Sequence, residues 1–343
     1  AVLGAGRQGT ACAYDLIKFG DAESVLLADQ SLEAAHAASR RINDLLRSDR
    51  AHATSIDVTD SEALVSLLEP KDAFLSAVPY HFNLHIARAA VQAGASMCDL
   101  GGNTDIVLEQ LKRDQEAREA GICIVPDCGQ VPGMGTTLMV YAMGLLDHAD
   151  EVFMWDGGLP QQPRPPFDYL LTFNIAGLTN EYAESPIFLR DGKPTRVEAM
   201  SELEEVEFPE PVGLLEAFTT GGGVSTMPWT FEGKLKTIQN KTVRYPGHFA
   251  QLRAFYDLGL WETAPVEAGG HKIVPRDLFH ALFEPLVTHR EDRDLVVIRV
   301  RATGSKAGQP AEAILDLVDY YDTETGFTAM ERTTGWDAAI VTA

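Results

Sequence analysis

Gly4-Ala5-Gly6-Arg7-Gln8-Gly9 lies between the apolar run Ala1-Val2-Leu3 and an amphipathic stretch from Thr10 to Phe19. Glycines at this spacing, between a strand and a helix, suit a dinucleotide. Gly4 permits a tight turn, Gly6 lets backbone approach a pyrophosphate, and Gly9 lets helix pack close on strand. Arg7 and Gln8 complete the turn, and the helix N-terminus offers N–H donors and a positive dipole end to the phosphates. Asp29 closes the next apolar run, Val25-Leu26-Leu27-Ala28. A carboxylate there accepts the adenosine ribose hydroxyls and repels a 2′-phosphate. Gln30 and Ser31 follow, with no Lys or Arg beside them. The cofactor reading is NAD rather than NADP.

These residues need a parallel sheet to hold them. Short apolar runs alternate with amphipathic stretches up to about residue 130, which predicts βαβ units with right-handed crossovers. Helices are expected over Ser31–Arg47 with Ser31 as N-cap, over Thr59–Leu68 capped by Thr59 or Asp60, over His81–Ala93 and over Ile106–Ala120. Strands are expected at Ala53–Val58, Asp72–Val78, Ala95–Leu100 and Ile122–Val125. Ligands in such sheets bind beyond the carboxyl ends of the strands. Asp57-Val58, Ala77-Val78-Pro79-Tyr80, Gly101-Gly102 and Asp127 fall at those ends, and Asp57, Val58, Ala77, Val78, Pro79, Gly101 and Gly102 join the cofactor-site candidates. After a helix over Met134–Leu146 the pattern changes. Strand-like runs at Glu151–Trp155, Tyr169–Phe173, Pro186–Leu189, Lys193–Ala199, Leu295–Ala302 and Ala313–Tyr321 predict a mainly antiparallel sheet. The fold class is therefore α/β: a Rossmann-type doubly wound parallel sheet over residues 1–132 with a second α+β substrate domain over 133–326. Residues 327–343 form a helix expected to return to the first domain.

Bulk properties narrow the class. The chain has 343 residues, enough for two domains, and a net charge of −22, which opposes non-specific binding to nucleic acid or anionic membrane. No apolar run reaches the roughly 18 residues of a membrane span. The cysteines Cys12, Cys98, Cys123 and Cys128 form no Cys-x-x-Cys pair, which fits a reducing, cytoplasmic setting. His81 and His85 have metal-like helical spacing but no evident third ligand, so no metal is expected. The chain begins in mid-strand without Met, so a few residues are expected upstream.

Ser76-Ala77-Val78-Pro79-Tyr80, Cys98-Asp99-Leu100-Gly101-Gly102-Asn103 and Pro126-Asp127-Cys128-Gly129 with Pro132-Gly133-Met134-Gly135 resemble the saccharopine dehydrogenase family. So do Gly157-Gly158-Leu159-Pro160, Arg244-Tyr245-Pro246-Gly247-His248 and Thr333-Thr334-Gly335. The likeness runs in order along nearly the whole chain. Gly177-Leu178-Thr179-Asn180-Glu181-Tyr182 and Ser225-Thr226-Met227-Pro228-Trp229 are most similar to its L-lysine 6-dehydrogenase branch. The resemblance implies an NAD(P)-linked oxidoreductase acting on a carbon–nitrogen bond of an amino acid, usually as a homodimer or larger assembly. The branch implies oxidative deamination of L-lysine at the ε-carbon to the semialdehyde. Fungal-type saccharopine reductases carry Cys before Gly-Gly-Leu-Pro and Asp before Pro-Gly. Here Asp156 and Val131 stand there, so that branch's acid–base residues do not carry over.

Oxidising an amine requires a hydride acceptor, a neutral nitrogen and a group that takes protons. Asp127, Asp156, Glu181 and His248 are the candidates for proton transfer. Arg244 has the fork geometry for an α-carboxylate, Trp229 is a candidate wall for the aliphatic part of the substrate, and Tyr80, near where the nicotinamide would lie, is the third substrate-binding candidate. Gly221-Gly222-Gly223 lacks the Lys-Ser/Thr of a phosphate loop and reads as a mobile loop; proline-rich Pro160–Phe167 is either a second such segment or a rigid surface connection. Two other readings stand beside lysine deamination: a saccharopine dehydrogenase acting on a secondary amine, and a non-catalytic NAD-binding sensor on the same fold.

Overall fold

A computed structural model describes residues 1–289 and 291–343. The chain divides into two compact units. One comprises Ala1–Met134, Thr323–Phe327 and Glu331–Ala343; the other Gly135–Asp322 and Thr328–Met330.

The first unit is a parallel sheet of β1 (Val2–Leu3), β2 (Val25–Asp29), β3 (Ala51–Ser55), β4 (Ala73–Ser76), β5 (Ser96–Asp99) and β6 (Ile124–Val125), in the order β3-β2-β1-β4-β5-β6. The chain runs outward from β1 to β3 and returns to β4, so the order reverses between β1 and β4, where a doubly wound sheet takes its ligand. Helices α1 (Arg7–Lys18), α2 (Leu32–Leu46), α3 (Ser61–Leu68), α4 (Asn83–Ala93), α5 (Thr104–Leu111) and α6 (Asp114–Ala120) fill the crossovers. Their starts follow capping chemistry: Ser31 accepts the Ala34 N–H, Asp60 that of Ala63 and Asn103 that of Ile106. Apolar clusters lie on both faces of the sheet, one around Leu16, Leu27 and Ile42, the other around Leu64, Phe74 and Ile86.

Two expectations need correction here. Ile106–Ala120 is not one helix: it breaks at Lys112-Arg113, where Arg113 leaves helical geometry with φ −89° and ψ 8°. His81 belongs to a 3₁₀ turn (Tyr80–Phe82) that precedes α4, so it does not share a continuous α-helix with His85. Among the described residues no cluster of His, Cys, Asp or Glu has the makings of a metal site, and no helix is long and apolar enough to cross a membrane.

The second unit holds α7 (Met134–Gly144, whose first residue lies in the first unit), β7 (His148–Pro160), α8 (Ile175–Ala183), β8 (Ile187–Arg190), β9 (Lys193–Arg196), β10 (Glu204–Phe208), β11 (Gly213–Phe218), α9 (Met227–Thr230), β12 (Thr237–Arg244), α10 (His248–Asp257), β13 (Val266–Ala268), β14 (His271–Ile273), α11 (Pro275–Val287), β15 (Asp294–Lys306) and β16 (Gln309–Tyr320). Its main sheet runs β10-β11-β12-β7-β15-β16, with β8 and β9 branching from β12. Every pairing is antiparallel except β12 with β7, which is parallel and sets Thr242 beside Asp156. Tyr169–Phe173 forms no strand. Tyr169 and Leu171 are buried against Trp261, Phe279 and Phe283, so their apolar side chains serve helix packing instead of a ladder. The closing helix α12 (Ala329–Thr342) is started by the fully buried Asp294, which accepts the Ala329 and Met330 N–H groups at 2.8 and 2.9 Å. Ala338 and Ala339, further along it, belong to the core of the first unit.

Candidate active site

In the first unit the glycine turn is built for close approach. Gly4 has φ +94°, and a Cβ on it would stand 2.7 Å from the Ala77 carbonyl oxygen. A Cβ on Gly9 would overlap the Gly4 carbonyl, which fixes the distance from helix to strand. Gly6 differs: nothing lies within 4 Å of where its Cβ would be. The room it leaves is not taken by protein. Among the described residues no side chain caps α1, although α2, α3 and α5 are each capped, and none pairs with the buried Gln8 Oε1. An uncapped helix start, an open face at Gly6 and an orphaned acceptor all fit a bound dinucleotide. Asp29 Oδ2 accepts the Ala5 N–H at 2.7 Å and Oδ1 the Ser31 N–H at 2.8 Å. A carboxylate has about four lone-pair sites, so acceptor capacity remains for ribose hydroxyls.

The ends of β4, β5 and β6 converge on a second feature of this unit. The Tyr80 ring lies against Gly102, whose Cβ would stand 3.1 Å from Cδ1. The Asp127 carboxylate occupies the space beside Gly101, where a Cβ would collide with it. Asp127 itself sits at φ 62°, a left-handed conformation uncommon outside glycine. Beneath it Asp99, with no exposed surface, ties the loops together. Its Oδ1 accepts the Gly101 and Asp127 N–H groups at 2.8 and 3.3 Å, and its Oδ2 the Gln110 amide at 2.7 Å. Burial raises the Asp99 carboxyl above its ordinary range. Val78 and Val58 pack against the apolar cluster of that face, and Ala77 against the other. Asp57 accepts both donors of Thr59, at 2.9 and 2.7 Å, and these bonds lower its pKa.

The second unit gathers Asp156, Glu181, Arg244 and His248. Alternation along β12 puts Asn240, Thr242 and Arg244 on one face and Lys241 on the other, where Lys241 meets Glu204 at 3.1 Å. The β7 register brings Asp156 to the first face, and the last turn of α8 brings Glu181 and Tyr182. Asn240 Nδ2 donates to Asp156 Oδ1. Thr220 and Thr242 share a hydroxyl hydrogen bond at 2.7 Å, and Thr242 donates to Glu181 at 2.9 Å. Arg244 Nε donates to the Tyr182 hydroxyl at 2.7 Å, Nη1 donates to the Val243 carbonyl at 2.8 Å, and Nη2 stands 3.9 Å from Glu181. A Cβ on Gly157 would stand 2.8 Å from Arg244 Nη1, which is why Asp156 is followed by glycine.

Burial dominates the electrostatics. Desolvation, and then the nearby Glu181, push the Asp156 carboxyl up to about 7, against the pull of Arg244 and Asn240. Burial also raises Glu181, opposed by Arg244 and Thr242; its side chain keeps 25% of its surface exposed. His248 is held neutral, its pKa lowered to about 3 by burial and then by Arg244. Its Nε2 pairs with the Tyr182 hydroxyl at 3.1 Å and its Nδ1 faces the Phe167 carbonyl at 3.4 Å. With both nitrogens engaged, His248 orients Tyr182 and through it Arg244. The Arg244-Tyr245-Pro246-Gly247-His248 segment is a strand–turn–helix corner. Gly247 has φ +99°, and Glu216 accepts the Gly247 and Phe249 N–H groups at the start of α10. Trp229 is 36% exposed on α9, which packs on β8 and β9. Gly221 and Gly223 are packed against Glu184 and Asn240, so these glycines serve close approach. Sequence reasoning left out Asn240, Thr242 and Asp99; the polar alternation Asn240-Lys241-Thr242-Val243-Arg244 was the available signal for the first two.

Comparison with known proteins gives two family matches that between them cover almost the whole chain. The saccharopine dehydrogenase NADP binding domain matches residues 1–125, and the saccharopine dehydrogenase C-terminal domain matches residues 129–343. The saccharopine dehydrogenase [NADP(+), L-glutamate-forming] of Saccharomyces cerevisiae is 21% identical over 308 residues, 82% of this chain. The chain spans 66% of the length of that relative. The structure of the yeast enzyme without ligand superposes with a TM-score of 0.78 at 20% identity, covering 99% of this chain and 89% of that one. Homospermidine synthase from Legionella pneumophila, solved with NAD, gives a TM-score of 0.61 at 13% identity, covering 99% and 82%.

Proposed function

Given that this chain belongs to the saccharopine dehydrogenase family, we propose that it is an NAD-dependent amine dehydrogenase that deaminates L-lysine at its ε-carbon. The observation that carries this reading is the charge of the buried cluster. One guanidinium, Arg244, faces two carboxyl groups, Asp156 and Glu181. Such a site favours a substrate with ammonium groups and one carboxylate. Saccharopine brings three carboxylates, and Lys241, the next cation on β12, is turned to the opposite face and already paired. The NAD preference rests on Asp29. A cytoplasmic homodimer belongs to the same reading; the unpaired thiols of Cys12, Cys98, Cys123 and Cys128 support the compartment.

Arg244 holds the α-carboxylate with the N–H groups it has not given to Tyr182 and Val243. A free ε-ammonium has a pKa near 10.4 and must lose a proton before its carbon can release hydride. Asp156, ionised above about pH 7, takes that proton, and Glu181 holds the nitrogen in place. The glycine turn Gly4–Gly9 and Asp29 would hold NAD, which would supply the acceptor for the hydride that leaves the ε-carbon with the C–H electron pair. Asp156 passes the amine proton to solvent, then accepts a proton from the water that adds to the carbon–nitrogen double bond so formed and returns it to the nitrogen. The carbon–nitrogen bond then breaks with its electrons, leaving the aldehyde, ammonium, reduced cofactor and one proton. Measuring NADH formation with lysine, ornithine, saccharopine and cadaverine, each with NAD and with NADP, tests this. Lysine with NAD should be the best pair; turnover confined to saccharopine with NADP would assign the activity named for the yeast relative.

A further inference from the structure

The glycine loop between β11 and α9 touches the supports of both acidic groups. Gly221 donates its N–H to the Glu181 carbonyl at 2.8 Å and packs on Glu184. Thr220, 1% exposed, backs Thr242, which in turn donates to Glu181. Gly223 lies flat on the Asn240 amide: a Cβ there would overlap Oδ1 and Cγ and stand 2.9 Å from Nδ2. Asn240 is 1% exposed, and its Nδ2 donates to Asp156. The amide is thus confined between loop backbone and carboxylate, with no room to swing aside.

We propose that Asn240, clamped by Gly223, is a positioning residue that aims the Asp156 carboxylate and keeps it available as a proton acceptor. The inference rests on Asp156 being the group that takes the amine proton. The physical reason is simple. A neutral N–H donor stabilises the ionised carboxylate without adding charge. Where burial and Glu181 both favour the protonated form, Arg244 and then this donor pull the carboxyl back towards neutrality.

The test is a double-mutant cycle of Asn240→Ala and Gly223→Ala, read by the acid limb of kcat/KM for lysine. A hydrogen bond to a charged group is worth enough to move that limb upward by about one to two pH units in Asn240→Ala. Gly223→Ala, which reaches Asp156 only through the displaced amide, should move it the same way by a smaller amount. In the double variant the space is vacant, so Gly223→Ala should add nothing further. A Gly223→Ala effect that persists without Asn240 overturns the proposal, as does a limb that stays fixed in both single variants while the Asp156 carboxyl band stays fixed too. Infrared titration of the carboxyl band that vanishes in Asp156→Asn gives a readout independent of turnover, taken on protein whose melting curve shows it folded. If that band shifts in Asn240→Ala while the rate profile does not, Asn240 positions Asp156 and the catalytic reading of Asp156 is at fault. If the band does not shift, the positioning role fails.

Discussion

Replacing Asp156 by asparagine should make the protein more stable, and only above a certain pH. The folded state holds this carboxyl at about 7, against an ordinary value of 3.8, because it is buried next to Glu181. A raised carboxyl means that between those values the folded state binds more protons than the unfolded one, so stability falls as pH rises and levels off above about 7. Each factor of ten in acidity is worth about 1.4 kcal/mol, so full ionisation costs the folded state roughly 4 kcal/mol at pH 8. Asp156→Asn keeps the shape, can pair amide to amide with Asn240, and removes the ionisation. Its advantage over the parent should approach that figure at pH 8 and vanish at pH 4. Urea denaturation followed by tryptophan fluorescence across that pH range measures the difference, provided the transitions of the two units are fitted separately. A difference that does not change between pH 4 and pH 8, or a variant less stable at pH 8, would refute the placement of a buried, reluctant carboxylate at this site.

The same titration should appear in catalysis. kcat/KM for lysine should rise through about pH 7 as Asp156 ionises and continue upward towards the pKa of the substrate ammonium, whereas an optimum below pH 7 counts against amine oxidation. Asp156→Asn should lower kcat by about 10²- to 10⁴-fold, the usual worth of a general base. Arg244→Lys keeps a charge but loses the bond to Tyr182. It should reduce kcat/KM for lysine by about 10- to 150-fold, the range set by one charge-assisted hydrogen bond, and should spare cadaverine, which has no carboxylate; equal loss with both amines makes the residue architectural. Asp29→Ala should raise the KM for NAD and narrow its advantage over NADP, measured by NADH and NADPH fluorescence titration. A parent enzyme already better with NADP would mean that Asp29 serves only Ala5 and Ser31.

The first unit was legible because glycine spacing and capping are local chemistry. Gly4, Gly9, Ser31 and Asp60 do in the structure what their types require. The second unit was harder for a reason that concerns its site. β12 is buried along nearly its whole length, yet it reads Gln239-Asn240-Lys241-Thr242. A search for apolar alternation passes over such a strand. Its polar side chains are buried because partners outside the strand satisfy them, among them the acids from β7 and α8, a pairing between segments tens of residues apart. Arg244 and Asp156 were visible as motif members, but the hydrogen bonds that decide their behaviour were not. His248 shows the converse. Its type suggests a proton carrier, and only its burial and its two partners mark it as a fixed support. The Tyr169–Phe173 run failed as a strand because apolar residues read alike whether they face a sheet or a helix such as α11.

The most direct test of the central claim follows the substrate nitrogen. Lysine labelled with ¹⁵N at the ε-position is incubated with NAD, and ammonium is analysed by mass while NADH is followed by absorbance. Oxidation at the ε-carbon should release one labelled ammonium for each NADH formed. Unlabelled ammonium would place the reaction at the α-carbon, and no NADH without saccharopine would assign the chain to secondary-amine chemistry instead.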